Sequence, residues 1–472
     1  MEPTEEGVQR ALTERVVDLE VLSDPGTVAR SLDCLVDWFG VATSSAAAPV
    51  VGLLRDLAPG SPPGADGVPD PGRVAVLGDE RSFEPLWAAR INGTAGHAQD
   101  FDDTHATSLV HVSSAVLPAL LSALADDDVD GRELLAAYVV GIWTCEVLAA
   151  GAGQRLLRSG LHPTATLGAI AAAAATARLL RLDLDRCETA LGLAASTSYG
   201  TLANFGTMAK PLQAGAAAAS GLLATRLAQQ GVTAGRWSVR RADNAGPVVR
   251  TLLSAADQVA SAIADPASVR DGVANVAHKP YAACLLTHAA IDGAIELADR
   301  VAAHGGAAGI RGVQLRAGRE TIAAAGIPRP MTGYEGKFSL AYCVATALIR
   351  GSVPVSAFAE DFGADPRVTE LLPRVSVDEA RDLDGFEVHI EVAHTDGEVS
   401  RIRPTSARGQ PTQPLAPDEL DAKLMDNVTD VLGASAATAL LDQLRSLPEA
   451  ASARGWAAKV WGSARERTAE VT

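Results

Sequence analysis

The sequence predicts a mainly α-helical protein in which a smaller α+β domain is inserted into a large helical domain. Alanine and leucine dominate the 47% hydrophobic content and aromatic residues contribute only 4%, a composition that favours closely packed helices. From residue 87 to about residue 230, Ala/Leu-rich segments of roughly 12 to 20 residues alternate with Gly, Pro or Asp breaks. After about residue 268, runs of alternating apolar and polar residues appear, and these are typical of strands.

The first part of the helical domain is predicted to span residues 1–267. Residues 1 to about 55 have apolar residues at helical spacing and read as two helices. The segment 58–74 is rich in Pro and Gly, so it predicts a loop. The stretch AIAAAAATARLL, residues 169–180, predicts a close-packed buried helix.

The inserted α+β domain is predicted to span residues 268–408. Residues 310–315 alternate as IRGVQL, and residues 386–402 read as two alternating runs joined at an Asp-Gly pair, which is a strong hairpin signal. A helical segment, SLAYCVATALIRG, lies between these runs. Residues 409–472 return to a helical pattern, and we expect them to complete the first domain.

Charge and cysteine usage exclude several classes of function. A formal net charge of −17 would repel a phosphate backbone, so nucleic acid is not an expected partner. The chain lacks roughly 18 uninterrupted apolar residues and its N-terminus is acidic, which predicts a cytoplasmic protein without membrane contact. The five cysteines are scattered without metal-binding spacing, so neither a disulfide framework nor a structural metal is expected.

The densest polar cluster lies within residues 92–111, NGTAGHAQDFDDTHATSLVH. Its carboxylate, hydroxyl and imidazole groups belong to Asp100, Asp102, Asp103, Thr104, His105 and His111. Carboxylates beside histidines can select a tautomer, and histidine is the commonest general base near neutral pH. Two alternatives remain: a solvated loop that caps the helix beginning near Val112, and a divalent-metal site, which the undirected ligand spacing disfavours.

Two isolated polar residues occur in apolar surroundings. His162, in GLHPTATLG, comes just before a long apolar helix in which Pro163 suits the first turn, and by itself it needs no further role than helix entry. Lys210, in GTMAKPLQAG, is the only positive charge between Arg186 and Arg226. It is either a surface lysine or a buried anion-binding group, and the lack of a nearby acidic residue in the sequence favours the second reading.

A third polar patch, HKPYAACLLTH, contains Lys279, Tyr281 and Cys284 at the point where the composition changes. Active sites favour domain junctions, which supports a functional reading of this patch. The alternative is that Cys284 is a small buried apolar residue and that His288 lies on a helix face.

In this order, five segments resemble the successive motifs of the MmgE/PrpD family. They are NGTAGHAQDFDDTH, GLHPTATLGAIAAAAATARLL, GTMAKPLQAGAAAASGLLATRLAQQG, HKPYAACLLTHAAIDGA and GKFSLAYCVATALIRG. The resemblance runs from about residue 30 to about residue 440 and implies the domain layout predicted above, a homodimer, and no metal or organic cofactor. The family includes 2-methylcitrate dehydratase, cis-aconitate decarboxylase and iminodisuccinate epimerase.

Carried over by motif, the resemblance implies site roles for Asp100, Thr104, His111, His162, Lys210 and Lys279. Together with the polar patches themselves, these residues give two predicted sets. The catalytic set is His162, His111, Asp100, Lys210 and Lys279. The substrate contacts are Thr104, His105, Asp103, Gln213, Tyr281 and Cys284.

The chain departs from the family pattern at several positions. His111-Val112-Ser113 stands where His-Pro-Ser is usual, and Gln213 where a histidine often occurs. Cys284 stands at the position of a further histidine in the animal decarboxylase, and Leu285 where an arginine is common. Loss of an arginine that binds a carboxylate would suit a substrate with fewer negative charges or with an apolar arm.

The expected function is that of a cofactor-independent lyase that moves a proton next to a carboxylate of a small polycarboxylic acid. In this hypothesis Lys210 and Lys279 stabilise an enediolate-like anion, and His162 or His111 carries the proton, with Asp100 orienting its neighbour. Decarboxylation, dehydration and epimerisation share this anion, so an isomerase or a biosynthetic tailoring enzyme remains an alternative. A non-catalytic binding protein is the alternative from another class.

Overall fold

The structure, a computed structural model, describes residues 7–62, 70–237, 246–383 and 385–464. Most of these residues lie in helices, and the sheets are few and small. The predicted mainly α fold with a small α+β region is therefore confirmed. Residues 63–69 of the predicted loop and the acidic residues 1–6 lie outside the described residues.

The described part of the chain as far as residue 229 is mainly helical, with four two-residue strands. In chain order its elements are α1 (Gly7–Asp18), α2 (Pro25–Ser45), α3 (Pro49–Leu57), β1 (Gly60–Ser61), β2 (Val74–Ala75), β3 (Ser82–Phe83), α4 (Pro85–His97), β4 (Thr104–His105), α5 (Val112–Ala123), α6 (Gly131–Arg158), α7 (Pro163–Leu179), α8 (Leu184–Thr197) and α9 (Ala209–Gln229). The predicted pair of N-terminal helices is in fact three, because the chain breaks between α2 and α3 before Pro49.

The rest of the chain contains the longer strands. Its elements are α10 (Gly246–Leu253), α11 (Ala256–Ala264), α12 (Ser268–Ala274), β5 (Val276–Ala277), α13 (His288–Ala303), α14 (Gly306–Gly309), β6 (Ile310–Ala317), α15 (Arg319–Ala325), α16 (Gly333–Gly336), α17 (Leu340–Arg350), α18 (Pro366–Leu371), β7 (Val375–Glu379), β8 (Val388–His394), β9 (Val399–Ile402), α19 (Pro417–Leu432), α20 (Ala434–Arg445) and α21 (Ala453–Ser463).

The chain divides into two compact units. Of the described residues, the first unit contains those within 1–201, 211–278 and 416–472, and the second contains those within 202–210 and 279–415. Apart from residues 202–210, the second unit begins at Lys279 and ends at Leu415, whereas the α+β domain is predicted to span residues 268–408. Ser268 accepts a hydrogen bond from Trp143 Nε1 at 2.9 Å, and β5 pairs with β4, so residues 268–278 belong to the first unit.

Small side chains let the helices of the first unit approach one another closely. Helix α7 packs against α5, α6 and α8, and nearly all of its residues are buried. A Cβ added at Gly221 in α9 would lie 2.5 Å from the Ala172 Cβ of α7, and one added at Gly141 in α6 would lie 2.7 Å from Val116 of α5. The predicted close-packed alanine-rich helix is therefore confirmed.

Helix α6 is the apolar centre of the first unit. Asp130 caps it by accepting a hydrogen bond from the Glu133 backbone N–H at 2.8 Å. Among the described residues it is the single continuous helix whose length and composition would allow it to cross a bilayer, and 83% of that apolar stretch is buried inside the fold. Burial of this extent is what the core helix of a globular unit shows.

The second unit contains a four-stranded sheet in the order β7-β6-β8-β9. Strands β8 and β9 form the predicted hairpin, whose turn includes Gly397 at a φ of +95°. Strand β6 pairs antiparallel with β8 and parallel with β7. Helices α13 and α17 pack on each other, and each also contacts the sheet. The sequence did not predict β7, because none of its five residues is buried and three of them are polar.

Candidate active site

Two helix ends bring the polar cluster of the first unit together. Helix α4 ends at His97, and His111 lies immediately before the first residue of α5. The backbone between them turns at Asp100, which has a left-handed φ of +52°. Such a conformation is uncommon outside glycine, and where it occurs at a functional site the surrounding contacts maintain it. The loop thereby returns the chain so that the two imidazoles face the same carboxylate.

That carboxylate is Asp102, which is fully buried. His97 Nδ1 lies 3.1 and 3.0 Å from its two oxygens, and His111 Nδ1 lies 3.1 Å from Oδ1. The Ser114 hydroxyl donates to Oδ2 at 2.6 Å, and Trp38 Nε1 donates to that hydroxyl at 3.2 Å. One carboxylate therefore accepts hydrogen bonds from two imidazoles and a hydroxyl.

The charge of Asp102 is set by these partners. Burial by itself raises the pKa of the carboxyl group, because it removes water from the charged form. The positive charge that His111 and His97 can carry, together with their hydrogen bonds, outweighs burial and holds the pKa well below its usual range. Asp102 is consequently an anion that stabilises protonated imidazole beside it.

Three imidazole rings lie side by side in this part of the first unit: those of His97 and His162 stack, and those of His97 and His111 meet edge to face. The ring centroids of His97 and His111 are 4.2 Å apart at 66°, and those of His97 and His162 are 5.9 Å apart at 24°. The Nε2 atom of His111 lies 3.7 Å from Asp100 Oδ1, and the Thr104 hydroxyl lies 3.4 Å from His111 Nδ1. The structure thus brings together the predicted site residues Asp100, Thr104, His111 and His162, and Gln213 contacts this group through His162.

His162 occupies the position before α7, as the sequence predicts, and a neutral amide holds its ring. Its Nδ1 lies 2.8 Å from Gln213 Oε1. The Gln213 Nε2 group donates to the Thr201 carbonyl at 3.3 Å, which fixes the orientation of the amide. His162 Nδ1 is therefore the protonated nitrogen, and Nε2 is the basic one.

Asp103, the next residue after Asp102, lies in different surroundings. Its carboxyl oxygens accept hydrogen bonds from the Ser113 backbone N–H at 3.3 Å and from the Ser113 hydroxyl, which also contacts Tyr138. Burial raises the pKa of Asp103 to about 8 against the Ser113 hydrogen bond, and the charges of Asp37 and Asp102 add to the rise. Asp103 is therefore a neutral acid at neutral pH.

His105 is linked to another part of the same unit. Its Nδ1 lies 2.9 Å from the Ser108 hydroxyl and its Nε2 lies 3.1 Å from Glu146 Oε2. Glu146 in turn accepts a hydrogen bond from Asn275 at 3.0 Å. Both His105 and Asp103 have partners within the first unit. Their predicted contact with substrate stays a prediction.

Within the described residues, two groups of donor atoms are close enough to consider a metal ion. In each group all donor atoms lie within 4.8 Å of one another; one is His97, Asp100, Asp102 and His111, the other Cys34, Asp103 and His278. In the first group, imidazole nitrogens and Asp102 oxygens are already 3.0 to 3.1 Å apart. At these separations each imidazole N–H can donate directly to Asp102, so the donor atoms of this group can satisfy one another by hydrogen bonds.

The second unit contains the predicted lysines. Lys210 is buried, and its Nζ lies 5.1 Å from the Phe205 ring centroid and 5.2 Å from that of Phe338. Lys279 is fully buried. A third buried lysine, Lys337, donates to the Ala282 carbonyl at 2.9 Å. Lysines so placed suit anion binding, because burial makes an ammonium group favour a negative partner.

Tyr281 and Cys284 lie in the same segment of the second unit. The Tyr281 hydroxyl donates to Asp292 at 2.6 Å, and burial together with this bond raises its pKa. Cys284 is buried, and its backbone N–H donates to the Lys337 carbonyl at 3.0 Å. These distances do not test whether Tyr281 and Cys284 contact the substrate, so that contact stays a prediction.

Sequence reasoning missed the central pair of the first unit. His97 belongs to a quoted motif but received no role, and Asp102 was counted in the cluster without one. The available signal was that His97 closes a helix five residues before Asp102. Which of three neighbouring aspartates faces the imidazoles depends on the turn at Asp100, and the sequence does not reveal that turn.

Comparison with known proteins identifies the family. The MmgE/PrpD N-terminal domain matches residues 10–244, and the MmgE/PrpD C-terminal domain matches residues 281–447. A cis-aconitate decarboxylase of Homo sapiens is 29% identical over 378 residues, which cover 77% of each protein. A cis-aconitate decarboxylase of Aspergillus terreus is 29% identical over 335 residues, 66% of this chain and 68% of the relative.

A shorter match is more similar. The cis-aconitate decarboxylase-like protein oryM of Aspergillus oryzae is 35% identical over 192 residues, 38% of this chain and 40% of that protein. The two domain matches together cover most of the chain, and the relatives named here carry the same activity or are named after it. The chain belongs to the MmgE/PrpD family, and it is a lyase.

Proposed function

We propose that this lyase acts on a small polycarboxylic acid by moving a proton at the carbon next to a carboxylate, without a metal or an organic cofactor. The observation that carries the proposal is the buried group of three imidazoles, His97, His111 and His162, with Asp102 between the first two. Decarboxylation is the favoured reaction, because the relatives named above are cis-aconitate decarboxylases. Dehydration is the second candidate on the same chemistry.

In a decarboxylation, the bond between the α carbon and the departing carboxylate breaks and CO2 leaves. The electron pair remains on an enediolate-like anion, which takes up a proton at carbon. Fixed positive or hydrogen-bonding groups must stabilise this anion, since preorganised donors act most strongly on charge that develops in the transition state. We assign this role to Lys210 and Lys279, both of which are buried.

The imidazoles differ in what they can do. His111 has a carboxylate at Nδ1 and a second carboxylate, Asp100, 3.7 Å from Nε2. Such surroundings stabilise the protonated ring, so His111 is suited to hold and deliver the proton. The Nδ1 atom of His162 faces the neutral amide of Gln213 rather than a carboxylate, so His162 is suited to accept a proton at Nε2.

Three of the predicted substrate contacts receive other roles in this proposal. Thr104 remains a substrate contact, because its hydroxyl lies within 3.4 Å of His111. Asp103 and His105 hold the loop against Ser113 and Glu146. Gln213 orients His162 and, like Leu285 in place of an arginine, adds no positive charge. This supports a substrate with fewer negative charges, or with an apolar arm.

Deuterium exchange tests the proposal. The purified protein is incubated in D2O with cis-aconitate, citrate, 2-methylcitrate, iminodisuccinate and several unsaturated monoacids, and proton NMR is recorded. We expect deuterium in one substrate or a new product signal, and we expect turnover to fall about 100-fold or more in His162→Ala and Lys210→Ala. Full turnover in either folded variant would contradict the roles assigned here.

Matched controls come from the same chain. His389, which pairs with Glu387 on the hairpin strand β8, provides His389→Ala, and the exposed Lys459 of α21 provides Lys459→Ala. Both should retain turnover. An epimerised product would move the assignment to the isomerase alternative, whereas a ligand that binds tightly and is never transformed would favour the non-catalytic alternative.

We also propose a homodimer. Sedimentation equilibrium should give about twice the chain mass of 48.5 kDa.

A further inference from the structure

We propose that Asp102 is a positioning residue that couples His97 to His111, so that the two rings share a single extra proton and His97 keeps it in reserve for His111. This inference rests on the proton transfer proposed above. The inference adds His97 to the residues that take part in the proton transfer, although His97 does not have to touch the substrate. It also explains why a second imidazole lies beside the Asp102 carboxylate.

The hydrogen bonds around Asp102 have only one consistent direction. The Trp38 N–H donates to the Ser114 hydroxyl oxygen, so the hydroxyl proton is directed to Asp102 Oδ2. The carboxylate can then only accept from the two imidazoles, which both present Nδ1 to it. Both rings must therefore carry a proton on Nδ1, and in their neutral forms Nε2 is the basic nitrogen of each.

One carboxylate cannot offset two imidazolium charges equally well. The ring centroids of His97 and His111 are 4.2 Å apart, and like charges at such a distance disfavour each other. Protonation of one ring uses the charge of Asp102 and makes protonation of the other less favourable. The pair therefore titrates in two coupled steps, the first of which belongs to both residues.

The charged groups described near Asp102 leave the coupling of His97 and His111 in place. Asp37 is paired with Lys423 at 2.6 Å, and Asp103 is a neutral acid below its pKa of about 8. Asp100 lies near Nε2 of His111 and favours the proton on that ring over His97. The His162 ring stacks on that of His97 with centroids 5.9 Å apart, so a second positive charge on His162 would be disfavoured there.

The tautomers can be read directly by NMR. With 15N-labelled histidine, the long-range proton–nitrogen spectrum of the whole protein reports which ring nitrogen carries the proton, without any substrate. We expect Nδ1–H rings for His97 and His111, assigned from His97→Gln and His111→Gln. In Asp102→Asn we expect loss of this pattern and a fall in kcat of about 100-fold or more, with a smaller change in KM.

The coupling has its own readout. In His97→Gln, the titration midpoint of His111 should move to higher pH by about one unit, because the competing ring is gone. The acid limb of the kcat profile should move in the same direction. His304, paired with the exposed Asp396 on the second unit, provides His304→Gln as the control, in which the His111 titration should not move.

The inference and the proposed function fail in different ways. If His97 and His111 each titrate as single independent steps, or if either ring is an Nε2–H tautomer in the parent protein, the coupling is overturned whatever the activity. If the tautomers and coupled steps are as expected but no acid is ever turned over, the proposed function fails alone. Should Asp102→Asn not fold by circular dichroism, the parent spectrum and His97→Gln decide the question.

Discussion

Asp102 and Asp103 are neighbours in the sequence and both are fully buried, yet their pKa values move in opposite directions. Burial raises both, but two imidazoles bring the pKa of Asp102 well below its usual range, while Asp103 remains raised to about 8. Asp102 pairs with Ser114 and Asp103 with Ser113, so even their serine partners are neighbours. The comparison shows that burial raises the pKa of both carboxyl groups, and that the neighbouring hydrogen-bonding and charged groups determine whether each carboxyl group is ionised in the folded protein.

The largest expected effect concerns the pH dependence of stability in Asp103→Asn. Asp103 has a folded pKa of about 8, above its ordinary value of 3.8, so between these values the folded chain binds a proton that the unfolded chain releases. This contribution to the free energy of unfolding is complete below about pH 4. As the pH rises towards 8 it is lost, by about 1.4 kcal/mol per pH unit.

Urea unfolding at about pH 5 and about pH 7 measures this effect. The free energy of unfolding of the parent protein, minus that of Asp103→Asn, should fall by about 3 kcal/mol between the two conditions. A difference that stays constant with pH would mean that Asp103 is ionised in the folded protein, and the contrast with Asp102 would disappear.

A smaller effect is expected from a methyl group added beside Asp102. A Cβ at Gly96 would lie 2.2 Å from Trp38 Nε1 and 2.8 Å from Ser114 Oγ, so Gly96→Ala must displace the residues that direct the Ser114 proton to Asp102. We expect a loss of about 1 to 3 kcal/mol in the free energy of unfolding and lower turnover. Thermal unfolding and the deuterium assay measure both.

Gly462→Ala is the control, because a Cβ at this position in α21 would meet nothing within 4 Å. It should leave turnover as it is and stability equal or slightly higher, since alanine favours the helix. Equal stability of the Gly96→Ala and Gly462→Ala proteins would show that the space between Gly96 and Trp38 can accommodate a methyl group.

The smallest effect is expected from metal removal. If imidazoles and carboxylates bind one another rather than an ion, dialysis against EDTA should change neither turnover nor the His97 and His111 tautomers. Elemental analysis before and after dialysis supplies the metal content. Activity that disappears with the metal and returns with added Zn²⁺ would make the group around Asp102 a metal centre instead.

Much of the fold could be predicted from local patterns. Alanine-rich periodicity indicated α7, and the Asp396-Gly397 pair between alternating runs indicated the hairpin of β8 and β9. The predicted boundary at 268 differs from the beginning of the second compact unit at Lys279, because residues 268–278 make distant contacts, such as that of Ser268 with Trp143, which a local pattern does not show. Strand β7 was missed because half of its alternation is polar and exposed, as in a loop.

The candidate site was only partly predictable for the same reason. Asp100, Thr104 and His111 are close in sequence, and their cluster was visible. The stacking of His162 on His97 joins residues that are 65 positions apart in the sequence, and the contact of His162 with Gln213 joins residues that are 51 positions apart. No local pattern shows such contacts. The role of Asp102 depends on a left-handed turn two residues earlier, at Asp100.

The contact of Trp38 with Gly96 has a consequence for how such a site can change during evolution. Because the indole N–H occupies the space that a side chain at position 96 would need, the two positions cannot drift independently. A smaller residue at position 38 would release position 96 and also leave the Ser114 hydroxyl without its donor. We therefore expect substitutions at positions 38, 96 and 114 to occur together among relatives, so that a lineage gains or loses this arrangement as a set.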